Sequence, residues 1–98
     1  MTAEPAVSVV IPTIGRDSLR TAVESALAQT SPPMEIIVVL DADGDPDLPH
    51  SGTIKTVRTA GGVGPSLAKH LGIEASSGNV IALLDDDDVW RPGKLERQ

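Results

Sequence analysis

Val7-Ser8-Val9-Val10-Ile11-Pro12 is the stretch on which the fold turns. Four of the five residues before Pro12 are β-branched and apolar, without the strict alternation of a strand that has one solvated face. Such a run suits a strand buried on both sides, and strands of that kind belong to parallel sheets covered by helices. Ile36-Ile37-Val38-Val39-Leu40 and Val80-Ile81-Ala82-Leu83-Leu84 repeat the pattern, whereas Thr53-Ile54-Lys55-Thr56-Val57-Arg58 alternates and reads as a strand near an edge. Between the strands lie helical periods. Asp17 or Ser18 can cap a helix whose apolar residues Leu19, Ala22, Val23, Ala26 and Leu27 share one stripe, and Ser31-Pro32-Pro33 ends it. Gly61-Gly62-Val63-Gly64 leads into Pro65, which favours a first helical turn, and Leu67, Ala68, Leu71 and Ala75 form a second stripe that stops before Gly78. Strands alternating with helices require right-handed crossovers, so the expected class is α/β, a mostly parallel sheet with helices on both faces.

The 98 residues allow one domain with one core, and because Trp90 is the only aromatic residue that core must be aliphatic. Eight basic against fourteen acidic side chains give a net charge of -6, which excludes a duplex nucleic-acid binder and an anionic membrane surface. The absence of cysteine removes disulfides, thiolate metal sites and a cysteine nucleophile. No apolar run is long enough to span a membrane, and Met1-Thr2-Ala3-Glu4-Pro5 has neither the basic start nor the apolar stretch of a signal peptide, so a cytoplasmic location is expected.

Ligands of open α/β sheets bind beyond the carboxyl ends of the strands. Three of those ends carry Pro12-Thr13-Ile14-Gly15-Arg16, Asp41-Ala42-Asp43 and Asp85-Asp86-Asp87-Asp88, which should share one crevice. Eight of the fourteen acids fall in two runs, at Asp41, Asp43, Asp45 and Asp47 and at Asp85 to Asp88. Four successive carboxylates at the end of a buried strand repel one another, and a hard divalent cation, Mg²⁺ or Mn²⁺, relieves them with least disruption. Such an ion keeps positions open for phosphate oxygens, which fits a nucleoside diphosphate. Other motifs fail. An EF-hand reading of Asp41-x-Asp43-x-Asp45 meets Pro46 at its glycine position and Gly52 at its terminal glutamate position. Gly62-x-Gly64 has Leu67 where a dinucleotide fingerprint has its third glycine, there is no P-loop Gly-Lys pair, and His50 and His70 lack metal-ligand spacing.

Val7-Ser8-Val9-Val10-Ile11-Pro12-Thr13, then Arg16, Glu24-Ser25, Gln29 and Glu35-Ile36-Ile37-Val38-Val39, resembles the opening of family-two glycosyltransferases of the Rossmann-like GT-A fold. Gly64-x-Ser66-x-Ala68-Lys69-His70-x-Gly72-Ile73 is similar to that family's second-helix motif, and Leu84-Asp85-Asp86-Asp87-Asp88-x-Trp90-x-Pro92-x-Lys94-Leu95-Glu96 to its metal-binding DxD region. The resemblance implies transfer of a sugar from a nucleoside-diphosphate sugar to an acceptor, with Mg²⁺ or Mn²⁺ on the diphosphate. It implies nucleotide-sugar contacts at Pro12, Thr13, Arg16, Asp41, Lys69, Asp85 and Asp86, and metal ligation by Asp87 with Asp85. The sequence departs from the family at Leu40, where many relatives have an acid, at Ala42-Asp43 in place of a glycine-serine pair, and at Lys69-His70 in place of an arginine-asparagine pair. The family's acceptor half and general base fall beyond Gln98, so residues 1–98 read as a truncated donor-binding portion, inactive alone, whose open sheet edge favours self-association. Two rivals remain. Val38-Val39-Leu40-Asp41-Ala42-Asp43-Gly44 resembles the nucleophile motif of haloacid-dehalogenase-type phosphatases, although Asp45 and the position after the second strand depart from it. The other is a non-catalytic nucleotide-binding or interaction module.

Overall fold

The structure, a computed structural model, describes residues 6–97; Met1 to Pro5, on which the signal-peptide reading rests, and Gln98 lie outside the described residues. Six elements follow in the expected order: β1 (Val7–Thr13), α1 (Leu19–Leu27), β2 (Glu35–Leu40), β3 (Ile54–Arg58), α2 (Pro65–Ala75) and β4 (Val80–Leu83). All strand pairs are parallel, in the order β3-β2-β1-β4, with Val9 of β1 opposite Ile36 of β2 and Ala82 of β4. The fold is α/β, with helices on both faces of the sheet.

Alternation along β1 and β2 sorts the core into two layers. Val9, Ile11, Ile36 and Val38 face α1, where they meet Leu19, Ala22, Val23 and Ala26 together with Leu84, Trp90 and Leu95 from beyond β4. Val10, Ile37 and Val39 face α2 through Ala68 and Leu71. Each central strand thus buries both of its faces, which is why it carries no polar alternation.

Pro12 lies inside β1 instead of ending it, opposite Val39. Val10 accepts from the Leu84 N–H on the β4 side, so the next even position, Pro12, is where a further donor toward β4 would be needed; proline has none, and the β1–β4 pairing stops there. The α1 start also differs from expectation. Ser18 occupies the N-cap position in a helical conformation and its side chain makes no cap hydrogen bond.

The stripe expected on α2 is rotated. Leu67 is 46% exposed, and the buried positions are Ala68 and Gly72. A Cβ at Gly72 would lie 2.8 Å from Val39 Cγ2 and closer still to Val10 Cγ1, so this face was set by how near the backbone approaches β1 and β2, not by the largest apolar side chains. The last strand departs too. β4 shows the apolar run of a core strand but is an edge, with Val80, Ile81 and Leu83 exposed and only Ala82 buried. β3 is the other edge, as its alternation suggested.

At the amino ends of the strands, Glu35 is buried with its charge matched. Its carboxylate accepts from the Ser8 hydroxyl, the Ser77 N–H and, at 2.8 Å, the Lys55 ammonium. Burial alone would push this carboxyl up; Lys55, Ser8 and Ser77 together outweigh it and hold it at about 2 against an ordinary 4.5. The folded value lies below the unfolded one, so the stabilisation is complete above pH 4.5 and is lost as pH falls toward 2. With the half-exposed Lys55 screened by solvent, it amounts to on the order of 2 kcal/mol at neutral pH.

Two outcomes follow from this packing. Gly72→Ala, helpful in an isolated helix, is expected to lower unfolding free energy in urea by about 2 kcal/mol, because Val10 and Val39 are fully buried and must give way. Glu35→Gln is expected to reduce stability at pH 7 and to flatten its decline between pH 4.5 and 2, read from urea midpoints across that range.

Candidate functional site

The carboxyl ends of β1 and β2, the turn after β4 and the start of α2 surround an open crevice of about 500 Å³, within the range of small-molecule sites. Pro12, Thr13 and Arg16 line it from β1 and its turn, Asp41 from β2, Lys69 from α2, and Asp85, Asp86 and Asp87 from the β4 side. Every residue to which the family resemblance assigns a nucleotide-sugar or metal contact therefore reaches one cavity, whereas Asp43 and Asp88, expected there from the strand ends, do not line it. Ile14, part of the Pro12–Arg16 segment expected at the crevice but given no role there, also lines it and is 59% exposed.

The four consecutive acids are not equivalent. Residues 86–87 form a turn in which the Asp88 N–H donates to the Asp85 carbonyl, and this sends the side chains in different directions. Asp86 turns inward and is buried; its Oδ2 accepts from the Thr13 hydroxyl at 2.6 Å, and that same hydroxyl oxygen accepts from the Gly15 N–H at 2.9 Å. Gly15 has φ of 88°, which lets the chain double back onto Thr13. Asp85, Asp87 and Asp88 remain exposed, and one carboxylate oxygen from each lies within 4.8 Å of the others. Three hard oxygen donors so placed fit a hexacoordinate cation with open positions. Asp88 belongs to this group although the sequence offered no reason to choose it over Asp86. Arg16 spans both populations, with Nε 3.8 Å from Asp86 and Nη1 3.9 Å from Asp87.

Asp41 serves the loop before α2. Its Oδ1 accepts from the Thr59 hydroxyl and the Val63 N–H, and its Oδ2 from the Gly64 N–H. The Thr59 hydroxyl, then the Val63 and Gly64 amides, hold the Asp41 carboxyl below its ordinary value against the burial that would raise it. Gly61, Gly62 and Gly64 all have positive φ, and this glycine turn brings the α2 amino end to the crevice, where the helix dipole favours anions. The rest of the first acidic run stays outside: Asp45 pairs with Arg58 and Asp47 with Arg20 on the surface. His70 pairs with Glu74 one turn along α2, also away from the crevice lining.

The segment after the acids is fastened to α1. Gln29 donates to the carbonyls of Ser25 and Arg91 and accepts from the Leu95 N–H; the Ser25 hydroxyl accepts from the Trp90 N–H; and Thr30 binds the Pro92 carbonyl and the Glu96 carboxylate. Trp90 and Leu95 then enter the α1 layer of the core. Ser25, Gln29, Trp90 and Leu95, read from the sequence only as parts of a resemblance, thus anchor the far side of the acidic turn.

The parallel α/β sheet thus gathers an acidic turn, two cations and a helix amino end in one crevice at the carboxyl ends of its strands. The family model "Glycosyl transferase family 2" matches residues 8–98, and the chain belongs to that family. It is 38% identical over 86 residues to the succinoglycan biosynthesis protein ExoO of Rhizobium meliloti, covering 83% of this chain and 25% of that protein. An uncharacterized glycosyltransferase of Rickettsia prowazekii is 38% identical over 100 residues, covering 96% of this chain and 31% of the relative. The chain therefore spans about a quarter to a third of the length of these relatives. Among solved structures, S. aureus TarS 1-349 superposes with a TM-score of 0.78 at 18% identity, over 94% of this chain and 30% of that one, and shows the same GT-A fold. Membership of this family sets the phosphatase reading aside. Among the described residues no helix is long and apolar enough to cross a membrane.

Gln29→Ala removes the two side-chain hydrogen bonds that dock residues 90–97, one to the Arg91 carbonyl and one from the buried Leu95 amide, together with a third to the Ser25 carbonyl. It is expected to lower stability by about 2 kcal/mol and to shift emission from Trp90, the single tryptophan, to longer wavelength in a fluorescence spectrum.

Proposed function

We propose that residues 1–98 form the donor-binding part of a glycosyltransferase that transfers sugar from a nucleoside-diphosphate sugar with Mg²⁺ or Mn²⁺ on the diphosphate. The observation that carries this reading is the meeting of outward carboxylates, Arg16, Lys69 and the α2 amino end in one crevice. Asp87 and Asp85 would hold the metal, and Asp88 joins them on geometry. The bound ion would act as a Lewis acid on the departing diphosphate.

The chain's own groups have separate tasks in this reading. Lys69 and the α2 amino end face the phosphates, with a point charge at Lys69 in place of a bidentate fork. Pro12 and Thr13 form the crevice floor at the end of β1, and Asp85 approaches the ribose or the metal through water. Asp86 is assigned to positioning instead of nucleotide contact, because Thr13 already holds its buried carboxylate. Asp41, with both oxygens accepting from the glycine loop, would act on base or ribose mainly by shaping that loop. The general base that activates the acceptor hydroxyl is proposed to come from outside residues 1–98, and these residues alone are proposed to be inactive. The Rhizobium relative is named for succinoglycan biosynthesis, so a growing glycan is the acceptor class to test first. A cytoplasmic setting, where nucleoside diphosphates are abundant, fits such a donor.

Calorimetric titration of UDP, GDP and ADP with and without Mn²⁺ tests this. Binding of one of them that requires Mn²⁺, and that weakens at least about tenfold in Asp87→Asn, is the expected result. Binding indifferent to both the metal and the substitution would refute the metal-centred donor site and favour a non-catalytic interaction module.

A further inference from the structure

We infer that Arg16 is an internal counter-ion for the acidic turn, displaced from Asp87 by the incoming divalent cation and thereby freed to engage the diphosphate. This rests on the donor-site reading above and adds an order of events to it.

Four adjacent carboxylates in a chain of net charge -6 must coexist before any metal or nucleotide arrives. Their partners divide into two kinds. Asp86 is buried and fixed by Thr13 at 2.6 Å. The exposed carboxylates have one cation within ion-pair distance among the described residues, Arg16, whose Nη1 is 3.9 Å from Asp87 and whose Nε is 3.8 Å from Asp86. Asp87 is therefore claimed twice: by Arg16, and by the group it forms with Asp85 and Asp88 that could hold a cation.

The two claims differ in strength. Arg16 is 56% exposed and Asp87 60%, and both separations are near the limit of an ion pair, so solvent screens this contact heavily. A divalent ion bound by three carboxylate oxygens outcompetes such a pair. The guanidinium is also repelled by the new charge, yet it stays tethered, because Arg16 follows the Gly15 turn that is pinned to Thr13. Released on one side only, it remains in the lining of the crevice, where planar donors match phosphate oxygens bidentately. Arg16 thus opposes metal binding when no nucleotide is present and supports nucleotide binding once metal is there.

Those opposite signs set the test. Mn²⁺ alone is titrated into the wild type, Arg16→Gln and Arg16→Lys, with free Mn²⁺ followed by electron paramagnetic resonance; the preferred nucleoside diphosphate is then titrated at saturating Mn²⁺. Removing one positive charge beside the ion is expected to tighten Mn²⁺ about fivefold in Arg16→Gln. The same variant is expected to weaken metal-dependent nucleotide binding by about fivefold or more. Arg16→Lys, which keeps the charge and loses the fork, should hold Mn²⁺ as the wild type does while still weakening the nucleotide. A general structural defect would weaken both ligands together, and that result overturns the inference. Unchanged Mn²⁺ affinity in Arg16→Gln overturns it as well, leaving the donor site intact. Failure of the wild type to bind Mn²⁺ at all, with or without nucleotide, overturns the metal reading itself and the inference with it.

Discussion

The buried Glu35 carboxylate is the constraint on which the sheet depends. Its acceptor oxygens draw Ser8 of β1, Lys55 of β3 and Ser77 of the turn before β4 to the amino end of β2, and the Ser8 hydroxyl oxygen in turn accepts from the Gly78 N–H. Gly78 has no room for a side chain there, because a Cβ would collide with the Ala6 carbonyl and with Ser8. A buried charge is costly unless every partner is in place, so this network tolerates only one relative placement of the four strand starts. Strands of one direction and nearly constant rise that are fixed at their starts are also fixed at their ends. Thr13, Asp41 and Asp85 come together at the crevice because Glu35 has fixed the strands at the opposite end of the sheet.

The fold was legible where the chain is buried on both faces. Val7 to Ile11 and Ile36 to Leu40 have no polar alternation, and they are the two central strands. Val80 to Leu84 has the same composition and lies at the edge of the four strands described. Periodicity reports which faces of a segment prefer burial and carries no information on how many neighbours the sheet supplies. It also misjudged α2. Ala68 and Leu71 of the expected stripe pack on the sheet, but Leu67 and Ala75 are exposed, and Gly72 joins Ala68 because two small residues let the helix backbone approach Val10 and Val39. Close approach is a property of the pair of surfaces, and one sequence read alone shows only half of it.

The site was legible as a set of residues and not as a set of roles. Strand ends converge by topology, so Pro12, Thr13, Arg16, Asp41 and the Asp85–Asp87 segment were expected in one crevice from the strand order alone, whereas Lys69 on α2 was expected there only from the family resemblance. Which of four identical acids points inward is decided by a single turn and by the Thr13 hydroxyl that meets it, and no feature of an Asp-Asp-Asp-Asp string encodes that. Asp41 lines the crevice, and its hydrogen bonds run to Thr59 and to amides of the glycine loop, groups that sequence order separates from it by some twenty positions. Ser25, Gln29 and Thr30 were invisible as anchors for the opposite reason: polar residues at the end of an amphipathic helix ordinarily face water, and only the docked segment beyond Asp88 gives them partners.

Charge ties the two ends of the molecule together. At the amino end, an acid is buried with its compensation built in, so the network is complete without a ligand. At the carboxyl end, acids are left outward with Arg16 the one cation within ion-pair distance among the described residues, so compensation there is partial and exchangeable. A nucleoside diphosphate is itself an anion and meets a chain of net charge -6, and the long-range field opposes its entry. Arg16, Lys69 and the α2 amino end reverse that field only locally, within about a Debye length. A cation held by Asp85, Asp87 and Asp88 would convert the largest repulsive feature of the crevice into an attractive one. On the donor-site reading, the acidic turn therefore makes anion binding conditional on metal, and Asp86, though it meets no ligand in that reading, keeps the condition in force by holding the turn in the shape that presents the other three.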